Sequence, residues 1–284
     1  MLIIGVHGLK NKPEPEILRA WWTAAVAEGI SRNCQGQKVD VDLVLAYWAD
    51  VMYSAPVVLG EEAEPYVAAK GTGPLPKGVS SGRIAEARIR EGVGKVLELV
   101  FGTPVTEDVV DDALKTRAPD LHRYEHDRAA RDAVQERLTK ELRSAHATGR
   151  QIMLIAHSMG SIVAYDVLAG ASSALPGLRI SHFVTVGSPL GLSAVKKVLA
   201  VPLCVPECVE RWSNLADPRD QVARWDTRLS SDFRGNSAGS AISDHLVING
   251  YASPSGKPNP HKIYGYLRTP EMSELIASSG ATLL

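Results

Sequence analysis

The sequence predicts an α/β protein built on a mainly parallel six-stranded sheet with helices on both faces. Segments typical of strands alternate along the chain with segments typical of helices, an order that favours parallel strands joined by crossover helices. The first strand, Leu2–Val6, is an uninterrupted apolar run, as expected for a strand buried on both faces. With 284 residues, 45% of them hydrophobic, the chain can bury a large core.

The predicted elements follow from these patterns in chain order. Strands are predicted at 2–6, 39–48, 151–156, 180–186, 209–215 and 246–249. Helices are predicted at 13–29, 121–147, 159–169, 193–200 and 261–279.

The alternating pattern breaks between residues 51 and 120, inside what we otherwise interpret as a single domain spanning 1–284. Prolines punctuate the first part of this stretch, at Pro56, Pro65, Pro74 and Pro76. Residues 83–101 have the pattern of an amphipathic helix, with one apolar face formed by Ile89, Val93, Val96 and Val100. We therefore expect a helical insertion after the second strand. It is either a cap or lid over the sheet or an extra helix pair packed on the main core.

Charge and cysteine content narrow the classes of function. Lys and Arg number 31 against 32 Asp and Glu, a balance that gives no support for a nucleic-acid partner. The N-terminus has no signal-peptide pattern, and no apolar run approaches the length of a membrane span. The odd number of cysteines fits a reducing compartment, so we expect a cytoplasmic protein. Cys204 and Cys208 have a CxxxC spacing, but no second Cys/His pair completes a zinc site, which favours ordinary thiols.

The strongest chemical signal is an apolar strand that runs through Ala156-His157-Ser158-Met159-Gly160 into an apolar helix. A serine on such a tight strand-to-helix turn is strained, and large side chains two residues before or after it would clash. The small residues Ala156 and Gly160 therefore predict Ser158 as a nucleophile. The Met159 amide, at the positive end of the helix, is the predicted first oxyanion donor. His157 is interpreted as a packing residue.

A second signal follows the first strand, where His7 and Gly8 precede Leu9. A His-Gly pair at a strand end allows close approach of the backbone, so the Leu9 amide is the predicted second oxyanion donor. The alternative is a plain turn glycine.

A serine nucleophile needs a histidine base and a carboxylate that orients the histidine, and this fold orders them Ser, Asp, His. Asp220 is the predicted acid and Asp217 the alternative, because Pro218 biases Asp217 toward an extended conformation that continues the strand. His261 is the predicted base because it follows the last predicted strand. His245 precedes that strand and is expected at the opposite edge of the sheet.

Four segments carry a resemblance to a known family: HGLKNKP, AHSMGSIVAYDVL, VTVGSPL and NLADPRDQVA. They resemble intracellular lipase-like members of the α/β-hydrolase superfamily, and HSMGSIVAYDVL is also similar to intracellular phospholipases. The resemblance covers most of the chain outside the insertion. It is to a minimal form that carries an inserted cap and lacks the two leading antiparallel strands. Minimal lipases that resemble this sequence carry their acid where Asp220 stands, and lipase-like relatives have a histidine at the position of His261.

The resemblance implies a lipase/esterase-like serine hydrolase that cleaves carboxylic esters through an acyl-enzyme and needs no metal or organic cofactor. A small-molecule or lipid ester is the implied substrate, and peripheral membrane contact stays open. The motifs specify fold and nucleophile more closely than substrate. An amidase, thioesterase or acyltransferase with the same residues is one alternative, and a non-catalytic binding protein that retains the fold is another. Acyl chain, head group and oligomeric state are not predicted.

Overall fold

A computed structural model describes residues 1–35, 41–58, 64–78, 118–199 and 202–280. In these residues six strands form one sheet in which every neighbouring pair is parallel, and this confirms the predicted α/β class. The strands are β1 (Leu2–Val6), β2 (Leu43–Ala46), β3 (Ile152–His157), β4 (His182–Val186), β5 (Trp212–Ala216) and β6 (Ile242–Leu246). Their order across the sheet is β2-β1-β3-β4-β5-β6.

Helices cover both faces of this sheet. In the described residues they are α1 (Pro15–Asn33), α2 (Ala49–Met52), α3 (Pro119–His126), α4 (Arg128–Ala147), α5 (Met159–Ala174), α6 (Ser193–Val198), α7 (Ile263–Leu267) and α8 (Pro270–Ser278). Alternate strand residues enter two separate apolar clusters, because successive side chains of a strand point to opposite faces. Ile4 and Leu154 pack with α3, α4 and α5, whereas Ile3 and Ile155 pack with α1, α7 and α8.

The direction in which the chain moves across the sheet reverses at β2. The chain leaves β1 for β2 at one edge and then returns past β1 to β3. A crevice forms outside the carboxyl ends of strands at such a reversal. Val6 of β1 is in register with Ala156 of β3, so the residues that follow the two strands lie side by side at this reversal.

Most predicted elements differ from the structure by a few residues at their ends, and three of the differences matter for the description of the fold. The last strand is Ile242–Leu246 instead of 246–249. The predicted helix 121–147 is two helices, because Asp127 ends α3 and its side chain accepts a hydrogen bond from the Ala130 amide at 3.1 Å. The predicted final helix is also two helices. Pro270 has no amide hydrogen with which to continue the ladder from α7, so α8 starts afresh there.

The predicted insertion lies mostly outside the described residues, including the amphipathic segment 83–101. Of the residues in this predicted range, 64–78 lie against α1, where the Tyr66 hydroxyl donates to Glu28 at 2.8 Å. In the parts of the chain that the structure describes, no helix is long and apolar enough to cross a membrane. Cys34, Cys204 and Cys208 are free thiols.

Candidate active site

Ser158 lies on the turn between β3 and α5, in an unusual backbone conformation. Its φ of 54° and ψ of −130° fall in a region that non-glycine residues rarely occupy, at a cost of about 1–3 kcal/mol. The Ser158 amide donates to the Val186 carbonyl of the neighbouring strand at 3.1 Å, which helps to hold the turn. The conformation therefore matches the strained turn that the sequence predicts for a nucleophile.

Small residues allow this turn to fit against β1. A Cβ atom on Gly160 would lie 2.5 Å from the carbonyl oxygens of Val6 and His7, which is closer than carbon and oxygen can approach. A Cβ atom on Gly8 would lie 2.7 Å from the Ser158 Cβ. The predicted close approach of Gly8 is therefore present, and it places the first residues after β1 directly beside Ser158.

His261 brings its imidazole between Ser158 and Asp220. Its Nε2 atom lies 3.0 Å from the Ser158 Oγ, and its Nδ1 atom lies 2.9 Å from both carboxylate oxygens of Asp220. The carboxylate accepts a hydrogen bond from the Nδ1–H group, which leaves the Nε2 lone pair facing the serine hydroxyl. The structure thus brings together the three residues predicted as nucleophile, base and acid.

Asp220 is fully buried, and hydrogen-bond donors around it stabilise its charge. One carboxylate oxygen accepts a hydrogen bond from the Val222 amide at 2.8 Å, and the other accepts one from the Tyr266 hydroxyl at 2.6 Å. Burial raises the pKa of Tyr266 well above its ordinary value, and the negative charge of Asp220 raises it further, so the hydroxyl stays a donor. Gly187 faces the same carboxylate with a φ of 55°, and a Cβ atom there would lie 2.8 Å from it.

Tyr266 and Gly187 were not singled out in the sequence. Tyr266 lies inside the apolar pattern of a helix, where an aromatic residue is typical of a core position. Gly187 belongs to the VTVGSPL segment, whose Gly-Ser pair is a turn signal and was noted only for its resemblance. Their roles depend on contacts with Asp220, 46 and 33 residues away in the chain, which local patterns do not reveal.

Asp217, the alternative acid, is buried but turned toward other partners. Its carboxylate accepts hydrogen bonds from the Arg219 guanidinium and from the Asn249 backbone amide, both at 2.6 Å. In the described residues it makes no hydrogen bond to His261. Its contacts tie the end of β5 to the loop after β6.

His245 lies within β6, in register with Leu215 of β5, near the carboxyl end of the sheet. The predicted position at the opposite edge is therefore wrong, and the reason is that β6 starts four residues earlier than predicted. The His245 ring is partly buried, and this burial lowers its pKa. Its Nε2 atom is buried without a hydrogen-bond partner among the described residues. His261, not His245, is the histidine at Ser158.

The two predicted oxyanion donors belong to different segments that meet at Ser158: Met159 follows the serine in the chain, and Leu9 comes from the loop after β1. Met159 is the first residue of α5, and Leu9 follows Gly8, which lies against Ser158. In the described part of the chain neither amide donates a hydrogen bond. Two free N–H groups beside a strained serine are what an oxyanion site requires.

His7 orients the peptide group that contains the Leu9 amide. Its Nε2 atom accepts the Trp48 amide at 3.0 Å, so its Nδ1 atom carries the proton and donates to the Gly8 carbonyl at 2.9 Å. In a trans peptide group the carbonyl and the N–H point in opposite directions. Holding the Gly8 carbonyl toward His7 therefore turns the Leu9 N–H away from it. Burial lowers the pKa of His7 well below its ordinary value, which keeps this ring neutral.

His157 does more than the packing that the sequence suggests. Its Nε2 atom donates to the His261 carbonyl at 2.7 Å, and the two rings are 4.8 Å apart. Burial lowers the pKa of His157 well below its ordinary value, and the nearby His261 adds to the effect. A neutral His157 therefore supports the backbone of His261 without placing a second positive charge beside it.

Among the described residues, no group of three or more His, Cys, Asp or Glu side chains could hold a metal ion. A comparison of the chain with protein-family models finds no match, and a comparison with curated proteins finds none either. The geometry of Ser158, His261 and Asp220 is therefore the main basis for a functional proposal.

Proposed function

We propose that this chain is a serine hydrolase that cleaves carboxylic esters through an acyl-enzyme. The observation that carries the proposal is the hydrogen-bonded series from Ser158 through His261 to the buried Asp220, joined at 3.0 and 2.9 Å. These distances lie within the range expected between a nucleophile, its base and the group that orients the base. The strained φ of Ser158 and the free amides of Leu9 and Met159 support the same reading.

In the proposed reaction, His261 Nε2 takes the Ser158 proton while Oγ attacks the ester carbonyl carbon. The amides of Leu9 and Met159 donate to the negative oxygen that forms, and Asp220 stabilises the imidazolium. The tetrahedral intermediate collapses, and His261 gives its proton to the leaving alcohol. His261 then deprotonates a water, which attacks the acyl-serine, and the second collapse returns the proton to Ser158 and releases the acid.

The fold supports assignment to the α/β-hydrolase type that the sequence motifs resemble. The nucleophile follows β3, the acid follows β5 and the base follows β6, all at the carboxyl ends of parallel strands where this class binds its ligands. A minimal hydrolase with a cap in 51–120 that acts on a small-molecule or lipid ester remains part of the proposal. So does a cytoplasmic location.

The experiment that tests the nucleophile is labelling with a fluorophosphonate, which reacts with activated serines by displacement of fluoride. The wild-type protein should label, and S158A should not, while its melting temperature stays within a few degrees. S173A changes an exposed serine of the same helix and serves as a matched control that should label like wild type. Labelling of S158A would contradict the assignment.

The reaction class is tested with p-nitrophenyl esters of increasing chain length, alongside matched amides and thioesters. Ester turnover by the wild type, with a loss on the order of 10⁴-fold in S158A, is the expected result. Labelling without ester turnover would favour the amidase, thioesterase or acyltransferase alternative. A wild-type protein that neither labels nor turns over any substrate would favour a non-catalytic binding protein.

A further inference from the structure

The ammonium group of Lys12 lies inside the loop that follows β1. Its Nζ atom donates to the Lys10 carbonyl at 2.6 Å, makes a short hydrogen bond to the Leu9 carbonyl, and has a longer contact of 3.5 Å with the Asn11 carbonyl. Within the described ranges no carboxylate oxygen lies within 4.0 Å of Nζ, so carbonyl dipoles are the nearest groups that balance its charge. Three consecutive backbone carbonyls therefore converge on one cation.

This convergence requires an unusual backbone. In an extended chain, consecutive carbonyls point to opposite sides, so three of them reach one atom only where the chain curls. Lys10 supplies the curl with a φ of 70°, a left-handed conformation that non-glycine residues adopt rarely. The Lys10 amide donates to the Asp120 carboxylate at 2.7 Å, which holds the curl from outside. The ammonium of Lys12 holds it from inside.

The curled loop contains the Leu9 amide, which the proposed reaction uses. The Gly8 carbonyl on one side of this residue is held by His7, and the Leu9 carbonyl on the other side is held by Lys12. Each peptide group is a rigid plane, so fixing the planes before and after Leu9 leaves its amide little freedom to turn. Removing either contact would release one of the two planes.

We propose that Lys12 is a positioning residue: its ammonium group fixes the Leu9 carbonyl so that the Leu9 amide stays directed at the oxyanion formed on Ser158. The inference rests on the proposed ester hydrolysis. In the described residues the Lys12 ammonium donates to backbone carbonyls of its own loop, so we place its action in the backbone of Leu9. Its effect belongs to the transition state, where the negative oxygen forms, so it is expected in kcat and not in KM.

The charge state of Lys12 gives this role a pH dependence. Desolvation lowers the pKa of Lys12 to about 7, and the positive charge of Lys262 adds to the effect. A protonated amine has three hydrogens to donate, whereas the neutral amine has two, so loss of the proton weakens the hold on the loop. The titratable and charged groups that face Lys12 are Lys10, Lys262, Asp120, His7 and His157.

The test uses K12M, K12R and, as a charge-matched control, K197M, which removes an exposed lysine of α6. Turnover of p-nitrophenyl butyrate is measured from pH 6 to 9. We expect K12M to lose 10- to 100-fold in kcat with KM within about twofold of wild type. This is below the roughly 10²- to 10³-fold loss caused by removing an oxyanion donor itself. Wild-type kcat should fall above about pH 7 as Lys12 loses its proton, and K12R should lack this fall because arginine keeps its charge.

The outcomes separate the inference from the proposed function. The role of Lys12 would be overturned if K12M kept the kcat of the wild type or changed only in KM. It would also be overturned if K197M lost as much kcat as K12M, or if the kcat of K12R still fell above about pH 7. If K12M loses its fold, as its melting temperature would reveal, the pH profile of K12R decides alone. A wild-type protein that neither labels with fluorophosphonate nor hydrolyses esters overturns the proposed function, and the role of Lys12 falls with it.

Discussion

Asp217 and Asp220 are three residues apart, yet their carboxylates have different partners. Asp217 forms an ion pair with Arg219 and accepts the Asn249 amide, whereas Asp220 faces His261 and the Tyr266 hydroxyl. The Asp220 amide donates to the Asp217 carbonyl at 2.9 Å, so a tight turn separates the two side chains. One carboxylate therefore braces the loop, and the other completes the candidate site.

This separation predicts opposite effects for two matched substitutions. D220N should lower kcat for a short activated ester by about 10⁴-fold, because an amide in place of the carboxylate disfavours the histidine tautomer that accepts the serine proton. D217N should keep kcat within about tenfold and lower the melting temperature instead, since Arg219 then loses its anionic partner. Steady-state kinetics and thermal unfolding of both variants measure this. A larger kcat loss in D217N than in D220N would exchange the two roles.

At the residue scale, the sequence predicts those site residues whose chemistry depends on chain neighbours. Ser158 is predictable because its turn needs small residues two positions away on either side. Asp220 is predictable in part, since Pro218 restricts only the residue before it. Lys12 and Tyr266 are not predictable in this way, because a loop carbonyl and a buried carboxylate become their partners only in the folded chain.

At the scale of elements, the approach of α5 to β1 depends on the first turn of the helix. A Cβ atom added to Gly160 would lie 2.5 Å from two carbonyl oxygens at the end of β1. A Cβ atom added to Gly170, in the same helix, would have no atom of another element within 4 Å. The two glycines share a helix and differ only in what surrounds them. They form a natural pair for measuring how much this approach matters.

We predict that G160A displaces the helix from β1, lowers the melting temperature and reduces ester turnover at least tenfold. The reason is that one proposed oxyanion donor, Met159, begins the helix and the other, Leu9, lies in the loop after β1. G170A should instead stabilise the protein by about 0.5–1 kcal/mol, since alanine replaces an exposed helical glycine without contacts. Urea unfolding and ester kinetics of both variants provide the measurement. Equal stability of the two variants would show that the close approach can relax at no cost.

Element boundaries were predicted well where apolar patterns are continuous and less well at the edge of the sheet. β1 and β3 are central strands buried on both faces, and their apolar runs mark them directly. β6 lies at an edge, and its residues Ser243, Asp244 and His245 are polar. The prediction therefore followed the apolar run that begins at Leu246, although Leu246 is the last residue of β6 and the rest of the run lies beyond the strand. Edge strands often carry polar and charged side chains, which discourage their unpaired backbone groups from pairing with another chain, and most residues of β6 are only partly buried.

For the whole molecule, several histidines are buried and uncharged. Burial lowers the pKa of His182 to about 4, and burial also lowers the pKa values of His7 and His157 well below the ordinary value. In the unfolded chain these rings bind protons near pH 6.5, so the unfolded state holds more protons than the folded state below that pH. Stability is then highest above about pH 6.5 and falls as the pH drops toward 4.

We expect the free energy of unfolding in urea to fall between pH 7.5 and 5, with each such histidine contributing up to about 1.4 kcal/mol per pH unit. H182Q should reduce this slope, because glutamine can replace the hydrogen bond to Ser213 without titrating. H146Q alters an exposed histidine and serves as the control. A slope in H182Q equal to that of wild type would contradict the assigned role of His182.

The packing of α1 has a consequence for how the protein is made. This early helix packs against α7 and α8, where a Cβ atom on Gly29 would lie 2.7 Å from the Arg268 Cα, and Glu28 pairs with Arg268 at 3.2 Å. During synthesis on the ribosome, the apolar face around Trp22 therefore stays uncovered by α7 and α8 until more than 230 further residues have been made, as the numbers Glu28 and Arg268 show. His261 is made just before those partners, so the chain gains the proposed base and can close its second core at nearly the same moment. If the proposed hydrolysis is confirmed, its first appearance in newly made chains would report that the first and last helices have met.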